Sequence, residues 1–212
     1  SKKDLKNVVK VYLALKKLVD QHKVDSLSLR CFDLVTELKT TGCFALSKLN
    51  DYGIVAGCEG DIISTIGMIW ANYLTDQIPW MANPARIDEQ NNSLWLAHCT
   101  VPLGMVENYK LRSHFESGLG VGIEGELSKG KATLFRLGGK NLDKLWISNA
   151  EIIQSGADEN LCRTQALVKL HGGNKVSDLL KEPLGNHMLL LRGNYSKEMQ
   201  NWWEMFVSYK ML

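Results

Sequence analysis

Short apolar segments separated by turn-forming residues fill most of the chain beyond residue 92. They cover residues 93–100, 120–127, 132–137, 144–153, 162–170 and 187–192. Short strands at this spacing are typical of an antiparallel barrel or sandwich. Residues 128–131 have the composition of a tight turn, so we expect a hairpin between the second and third segments. A helix over residues 196–209 is predicted to close the chain, with its aromatic stripe packed in the core.

The first 78 residues have a different pattern, in which helical and strand-like segments alternate. Helical periodicity predicts helices over residues 5–19, 33–39, 43–49 and 62–74, and apolar segments predict strands over residues 24–31 and 52–58. This alternation is typical of parallel α/β structure, although two strands are too few for a complete covered sheet. The predicted fold is therefore α/β plus β: residues 1–78 are the end of a parallel, Rossmann-like α/β domain. Residues 79–212 are an antiparallel β-barrel with a C-terminal helix.

Charge, hydropathy and cysteine content exclude several classes of protein. The net charge is only +2 and the basic residues are scattered, whereas nucleic-acid binding normally requires a concentrated basic stripe. No apolar run is long enough to span a bilayer and no signal peptide is visible, so we expect a cytoplasmic protein without membrane contact. The five cysteines are widely spaced and contain no CxxC pair. They are predicted to be buried, reduced thiols.

Two carboxylates flank a glycine between a predicted strand and a predicted helix. Glu59 lies at the carboxyl end of the strand, and Asp61 is placed to cap the helix. Ligands of open α/β sheets bind at this edge, because loops and helix amino-termini converge there. The spacing alone leaves a second interpretation open, in which Asp61 is only a cap and Glu59 only a solvated turn residue.

Two histidines lie in strand-like segments and have two interpretations each. His98 follows an apolar stretch, and His187 precedes the final strand, where side chains reach the mouth of a barrel. Either could be an ordinary core histidine. Separated imidazoles and carboxylates can also hold a hard divalent cation, and the available donors include Asp88 and Glu89. The absence of a GxSxG motif, a P-loop and a dinucleotide fingerprint disfavours hydrolases, kinases and Rossmann dehydrogenases.

Several short motifs distributed along the chain support a more specific interpretation. They are Cys58-Glu59-Gly60-Asp61 and residues 87–92, 94–99, 125–130, 133–136, 162–164, 185–187 and 192–194. Together they resemble the L-fucose isomerase and L-arabinose isomerase superfamily, especially its shorter fucose-isomerase-like members. The resemblance covers the end of the family's second α/β domain and its C-terminal barrel. Because the chain begins at Ser1 without a counterpart of the family's amino-terminal region, we expect an upstream region in the parent protein.

The resemblance implies metal-dependent interconversion of aldose and ketose sugars through an enediol. The divalent metal of this family, usually manganese, is held by two carboxylates and a histidine. By position, Glu59 matches the first carboxylate ligand and proton-transfer group, and His187 matches the ligand histidine. His98 falls where the arabinose branch has another metal histidine. The position of the second acidic ligand falls at Asn83, whose amide carries no charge and accepts no proton near neutrality.

The remaining expectations from the resemblance concern the substrate and the assembly. Asp61 is a second catalytic candidate that could compensate for Asn83, as could Asp88, and Asn186 and Arg163 are expected to bind the sugar. Family enzymes are oligomeric and complete their sites between subunits, so we expect a homo-oligomer. The neutral Asn83 leaves an alternative open, in which the protein is a divergent, non-catalytic sugar- or metabolite-binding or regulatory protein.

Overall fold

The computed structural model describes residues 1–210, with the side chains of residues 1–207. The α-helices are α1 (Lys2–His22), α2 (Cys31–Leu38), α3 (Cys43–Asp51), α4 (Ile62–Thr75), α5 (Val176–Lys181) and α6 (Ser196–Lys210), with a 3-10 turn over Leu103–Met105. The strands are β1 (Ser26–Ser28), β2 (Val55–Gly57), β3 (Trp80–Asp88), β4 (Ser93–His98), β5 (Asn108–Arg112), β6 (Gly122–Glu126), β7 (Gly130–Gly138), β8 (Lys144–Ser155), β9 (Thr164–His171) and β10 (Met188–Arg192).

Six strands form a closed antiparallel barrel in the order β10-β3-β4-β9-β8-β7. This confirms the predicted barrel. The final strand, β10, is apolar without alternation because both of its faces pack against a core. Leu190 belongs to the core enclosed by the barrel, and Leu189 and Leu191 belong to a second core outside it. Both faces of β10 are buried, so a polar residue on either face would lose water without gaining a partner.

The second core lies between the barrel and the helices. Helix α4 packs closely on the barrel at Gly67, where an added Cβ would lie 2.7 Å from Leu189 Cδ1. The Trp70 ring contacts Phe135 of the barrel and Trp203 of α6 edge to face. The aromatic stripe of α6 packs in the core only in part: Trp203 and Met199 are buried as predicted, whereas Trp202 is exposed.

The α/β portion is smaller than a Rossmann-like domain. Strands β1 and β2 form a parallel pair, and within residues 1–210 no further strand extends their sheet. The parallel arrangement is thus present, whereas a Rossmann-like sheet is not seen. The boundary near residue 78 remains a prediction. The second core contains residues from both sides of it, including Ala56 and Met81.

The hairpin predicted at residues 128–131 is wrong. Strand β6 pairs with β5 in a separate two-stranded sheet, and β7 pairs with β8 and β10 in the barrel. Residues 128–131 therefore carry the chain from one sheet to the other. Sequence inspection missed β5, a five-residue strand whose residues are largely exposed. It also missed the short helix α5.

Strand β3 contains Pro84, and proline removes a ladder hydrogen bond. The pairing of β3 with β4 shifts between Pro84 and Arg86, so a bulge accommodates the proline inside the barrel. None of the helices within residues 1–210 has the length and apolar character needed to cross a membrane.

Candidate metal centre

Glu59 lies in the turn between β2 and α4, in a left-handed backbone conformation with φ of 59°. Such a conformation is uncommon for a residue other than glycine and persists only where the surroundings fix it. Here the Gly60 amide donates to the Leu29 carbonyl and the Asp61 amide to the Cys58 carbonyl. The turn is thereby fixed to β1 and β2, and it presents the Glu59 carboxylate to the barrel.

His187 immediately precedes β10 and is almost fully buried, with 1% of its surface exposed. Its Nδ1 atom lies 2.9 Å from Asp61 Oδ2. The other ring nitrogen, Nε2, lies 3.4 Å from Glu59 Oε2 and has no hydrogen-bond partner among the described residues. Asp61 therefore orients the imidazole so that Nε2 faces Glu59, an arrangement common among metal-binding histidines.

Asp61 has the capping role expected from the sequence and a second role in the site. Its Oδ1 accepts the Ser64 amide 2.8 Å away, which caps α4. Its Oδ2 lies 2.9 Å from the Arg136 guanidinium, which also donates to the His187 carbonyl. Arg136 and Ser64 hydrogen-bond to each other as well. This buried network ties α4, β7 and the start of β10 together around His187.

His98 reaches the same carboxylate from the end of β4. Its Nε2 lies 3.4 Å from Glu59 Oε1, and its Nδ1 is 2.7 Å from the Thr100 hydroxyl. The His98 and His187 rings lie 5.4 Å apart between centroids and nearly perpendicular. One ligand atom from each of Glu59, His98 and His187 lies within 4.8 Å of the other two. The fold therefore brings three predicted ligands to one point.

The charges of the site are strongly coupled. The nearby imidazoles, of His187 first and then His98, hold the pKa of Glu59 well below its usual range. Burial raises the pKa of Asp61, but His187, Arg136 and Ser64 outweigh burial, and that pKa is also well below its usual range. Burial lowers the pKa of His187, whereas Asp61 and Glu59 raise it by more. At neutral pH both carboxyl groups are ionised, which suits them to a cation.

A cavity of about 280 Å³ opens in front of this cluster. Glu59, His98 and Asn83 line it, together with Phe115 and Glu116 from the loop before β6. The cavity thus adjoins two of the three clustered ligands. A larger cavity of about 560 Å³ lies beside β3, β4 and β9, and its lining includes Asp88 but none of the three clustered ligands.

Asn83 is placed beside the cluster but has no charge to contribute. Its Cα pairs in register with Ala97, next to His98, and its side chain lines the cavity. Asp88 is exposed in the β3–β4 turn, where it accepts the Asn91 amide. It lies at the opposite end of β3 from Asn83 and does not line this cavity.

The two residues expected to bind sugar lie outside the cavity lining. Asn186 is exposed beside His187. Arg163 donates to the Ser113 carbonyl at 2.8 Å, and its guanidinium lies 5.7 Å from the centre of the Phe115 ring. Arg163 therefore supports the loop that forms one wall of the cavity. A direct contact of either residue with sugar remains a prediction.

Sequence reasoning gave no role to Arg136 and Ser64. One signal was available: Arg136 is the single charged residue within the apolar run of residues 132–137. A charged residue at the centre of such a strand is almost always paired when it is buried. Ser64 carried no comparable signal, because serine in the first turn of a helix is common.

Comparison with known proteins finds similarity to sugar isomerases. Sulfoquinovose isomerases of Priestia aryabhattai and Priestia megaterium (strain ATCC 12872 / QMB1551) are 28% identical to the chain over 129 residues, covering 58% of the chain and 29% of each relative. The sulfoquinovose isomerase of Clostridium sp. (strain MSTE9) is 32% identical over 92 residues, covering 43% of the chain and 21% of the relative. Part of the chain is therefore similar in sequence to sugar isomerases.

The similarity supports a sugar-isomerase-like function at the level of the class. It is consistent with the fucose-isomerase-like superfamily, but it is not specific for fucose. No model of a known protein family matches the chain. The chain spans less than a third of the length of these relatives.

Proposed function

We propose that the chain supplies the metal-binding part of a metal-dependent aldose–ketose isomerase, with Glu59, His98 and His187 as ligands of a divalent cation such as Mn²⁺. The observation that carries this proposal is the buried Nε2 atom of His187, which has no hydrogen-bond partner and faces Glu59 and His98. A buried polar atom without a partner costs free energy, and a cation at this point would satisfy it. Two imidazole nitrogens and a carboxylate suit a transition-metal ion.

The residues around the ligands have distinct tasks. Asp61 and Thr100 hold the Nδ1 atoms of His187 and His98, so that both Nε2 atoms remain free for the cation. When bound, the cation would polarise the carbonyl and hydroxyl oxygens of a sugar. Glu59 is ionised and also lines the cavity, so it is the group proposed to accept the carbon-bound proton during enediol formation.

Titration of the chain with MnCl₂ by calorimetry tests the metal site. Glu59→Gln removes the ligand charge, and we expect a loss of affinity of at least about 100-fold. Glu116→Gln is the matched control, because Glu116 lines the same cavity but lies outside the cluster. Equal Mn²⁺ affinities for Glu59→Gln and the wild-type chain would contradict the assigned role.

The parent protein, including the proposed upstream region, is needed to test the reaction. Ketose formation should be measured with sulfoquinovose, on which the named relatives act, and with a panel of aldoses that includes L-fucose and L-arabinose. We propose that the parent is a homo-oligomer. The mass of the active species in solution, compared with that of the isolated chain, tests this assembly.

One observation favours a second function. The cluster contains a single carboxylate, and the amide of Asn83 cannot accept a proton. A divergent protein that binds a sugar or metabolite without isomerising it would have this composition. Sugar binding by the parent without ketose formation, retained in the Glu59→Gln variant, would favour this second function over catalysis.

A further inference from the structure

All five cysteines of the chain converge on the cavity beside the candidate metal centre. They come from five places in the sequence: Cys31, Cys43, Cys58, Cys99 and Cys162. Each is a free thiol, and four of them are buried. The proposed metal ligands explain none of these thiols, although they lie on the walls of the same cavity.

Two of the thiols are in direct contact. The Cys58 thiol donates a hydrogen bond to Cys31 Sγ, and the two sulfur atoms are 3.2 Å apart. Formation of a disulfide requires them to approach by only about 1 Å. The backbones on either side are already joined, because the Leu29 amide donates to the Gly57 carbonyl and the Gly60 amide to the Leu29 carbonyl. These bonds hold the two sulfur atoms together before any oxidation.

We infer that Cys31 and Cys58 form an oxidisable pair, which a small peroxide entering the cavity converts into a disulfide. Cys31 is the nucleophile, because its sulfur accepts the hydrogen bond that the Cys58 thiol donates. Its sulfur attacks one oxygen of H₂O₂, giving a sulfenic acid and releasing water. The Cys58 thiol then attacks the sulfenic acid of Cys31, which forms the disulfide bond and releases the sulfenic oxygen as water. The pair loses two hydrogen atoms and two electrons, and the peroxide becomes two molecules of water.

The disulfide would act on the adjacent Glu59. Cys58 precedes Glu59 directly, and the left-handed conformation of Glu59 depends on the same turn. Movement of Cys58 toward Cys31 therefore displaces the Glu59 carboxylate from the two imidazoles. We expect an Mn²⁺ affinity about tenfold lower in the oxidised chain, as for other changes that misplace a ligand. This consequence rests on the proposed function, whereas the disulfide itself does not.

Oxidation of the folded chain by H₂O₂, followed by intact-mass and peptide mapping, tests the pair. The chain should become two hydrogen atoms lighter, and its thiols titrated after unfolding should fall from five to three. A peptide joining Cys31 to Cys58 should appear and should be lost on reduction. Cys43→Ser is the matched control, because Cys43 lines the same cavity, and it should form the same link.

The Cys31→Ser and Cys58→Ser variants should form no disulfide when treated with H₂O₂. Circular dichroism verifies that both variants fold. A link that joins Cys99 to Cys43 or Cys162 would overturn the inference. Oxidation of single thiols to sulfinic acid without any link would also overturn it. Peptide mapping requires neither metal nor sugar. If no disulfide forms, the Mn²⁺ titration still tests the metal site, and if no Mn²⁺ binds, the mapping still tests the cysteine pair.

Discussion

His187 and His98 both approach Glu59, but the regions that hold them differ. We call the first the charged side, formed by His187, Asp61, Arg136 and Ser64. The second is the neutral side, formed by His98, Thr100 and Asn83. On the charged side a carboxylate and a guanidinium form a buried ion pair. On the neutral side a single hydroxyl orients His98.

The two histidines thus depend on the surrounding fold to different degrees. Removal of one member of a buried ion pair leaves the other charge without a partner, which costs far more than loss of one neutral hydrogen bond. We therefore expect changes on the charged side to alter both stability and metal binding. Changes on the neutral side should mainly alter metal binding.

The largest expected effect is that of Arg136→Met. It leaves the partly buried Asp61 carboxylate without its cation, and we expect the free energy of unfolding to fall by about 3–5 kcal/mol. Urea unfolding without metal measures this. Arg86→Met is the control, because the Arg86–Asp158 pair is exposed and should contribute about 1 kcal/mol or less. Equal losses in the two variants would show that the Arg136–Asp61 pair contributes no more than an exposed ion pair, which contradicts the expected dependence of the charged side on burial.

Asp61→Asn is expected to have the next largest effect. The amide keeps the shape of the side chain but weakens the hold on His187 Nδ1, so Mn²⁺ affinity should fall about 10- to 100-fold. Calorimetric titration measures the change. Asp88→Asn, in an exposed turn, should leave the affinity unchanged. A normal affinity in Asp61→Asn would show that the charged side does not orient the ligand.

Gly185→Ala tests the charged side through the contact between Gly185 and the Arg136 guanidinium. An added Cβ would lie 2.1 Å from a terminal nitrogen of Arg136, so the guanidinium that pairs with Asp61 must shift. The φ of 154° at Gly185 adds backbone strain. We expect a loss of about 1–3 kcal/mol in the free energy of unfolding, typical of overpacking. Gly104→Ala has space for its Cβ, whose nearest neighbour lies at 3.8 Å, and should change stability by no more than about 0.5 kcal/mol.

Thr100→Val is expected to have the smallest effect. It removes the hydroxyl that orients His98, so stability should fall by about 1 kcal/mol and Mn²⁺ affinity by about tenfold or less. Thr40→Val is the matched control, because the buried Thr40 hydroxyl has no hydrogen-bond partner. A larger fall in metal affinity for Thr100→Val than for Asp61→Asn would reverse the proposed ranking of the two sides.

Local pattern in the sequence was sufficient for much of the fold. Apolar segments separated by turns predicted the strands from residue 93 onward, apart from β5, which is largely exposed. Helical periodicity likewise predicted α4 and α6. These features follow from the burial of successive side chains along one element, which sequence spacing records directly. The cap at Asp61 and the position of His187 before a strand were readable for the same reason.

The tertiary structure alone decided which of these residues meet. Asp61 contacts Arg136 and His187 across separations of 75 and 126 residues, and the cysteines of the cavity come from both sides of the predicted domain boundary. Sheet pairing and barrel closure set such contacts, and neither leaves a periodic trace in the sequence. The same reason explains the wrong hairpin at residues 128–131: a turn composition shows that the chain changes direction, but the partner of the next strand depends on the whole sheet.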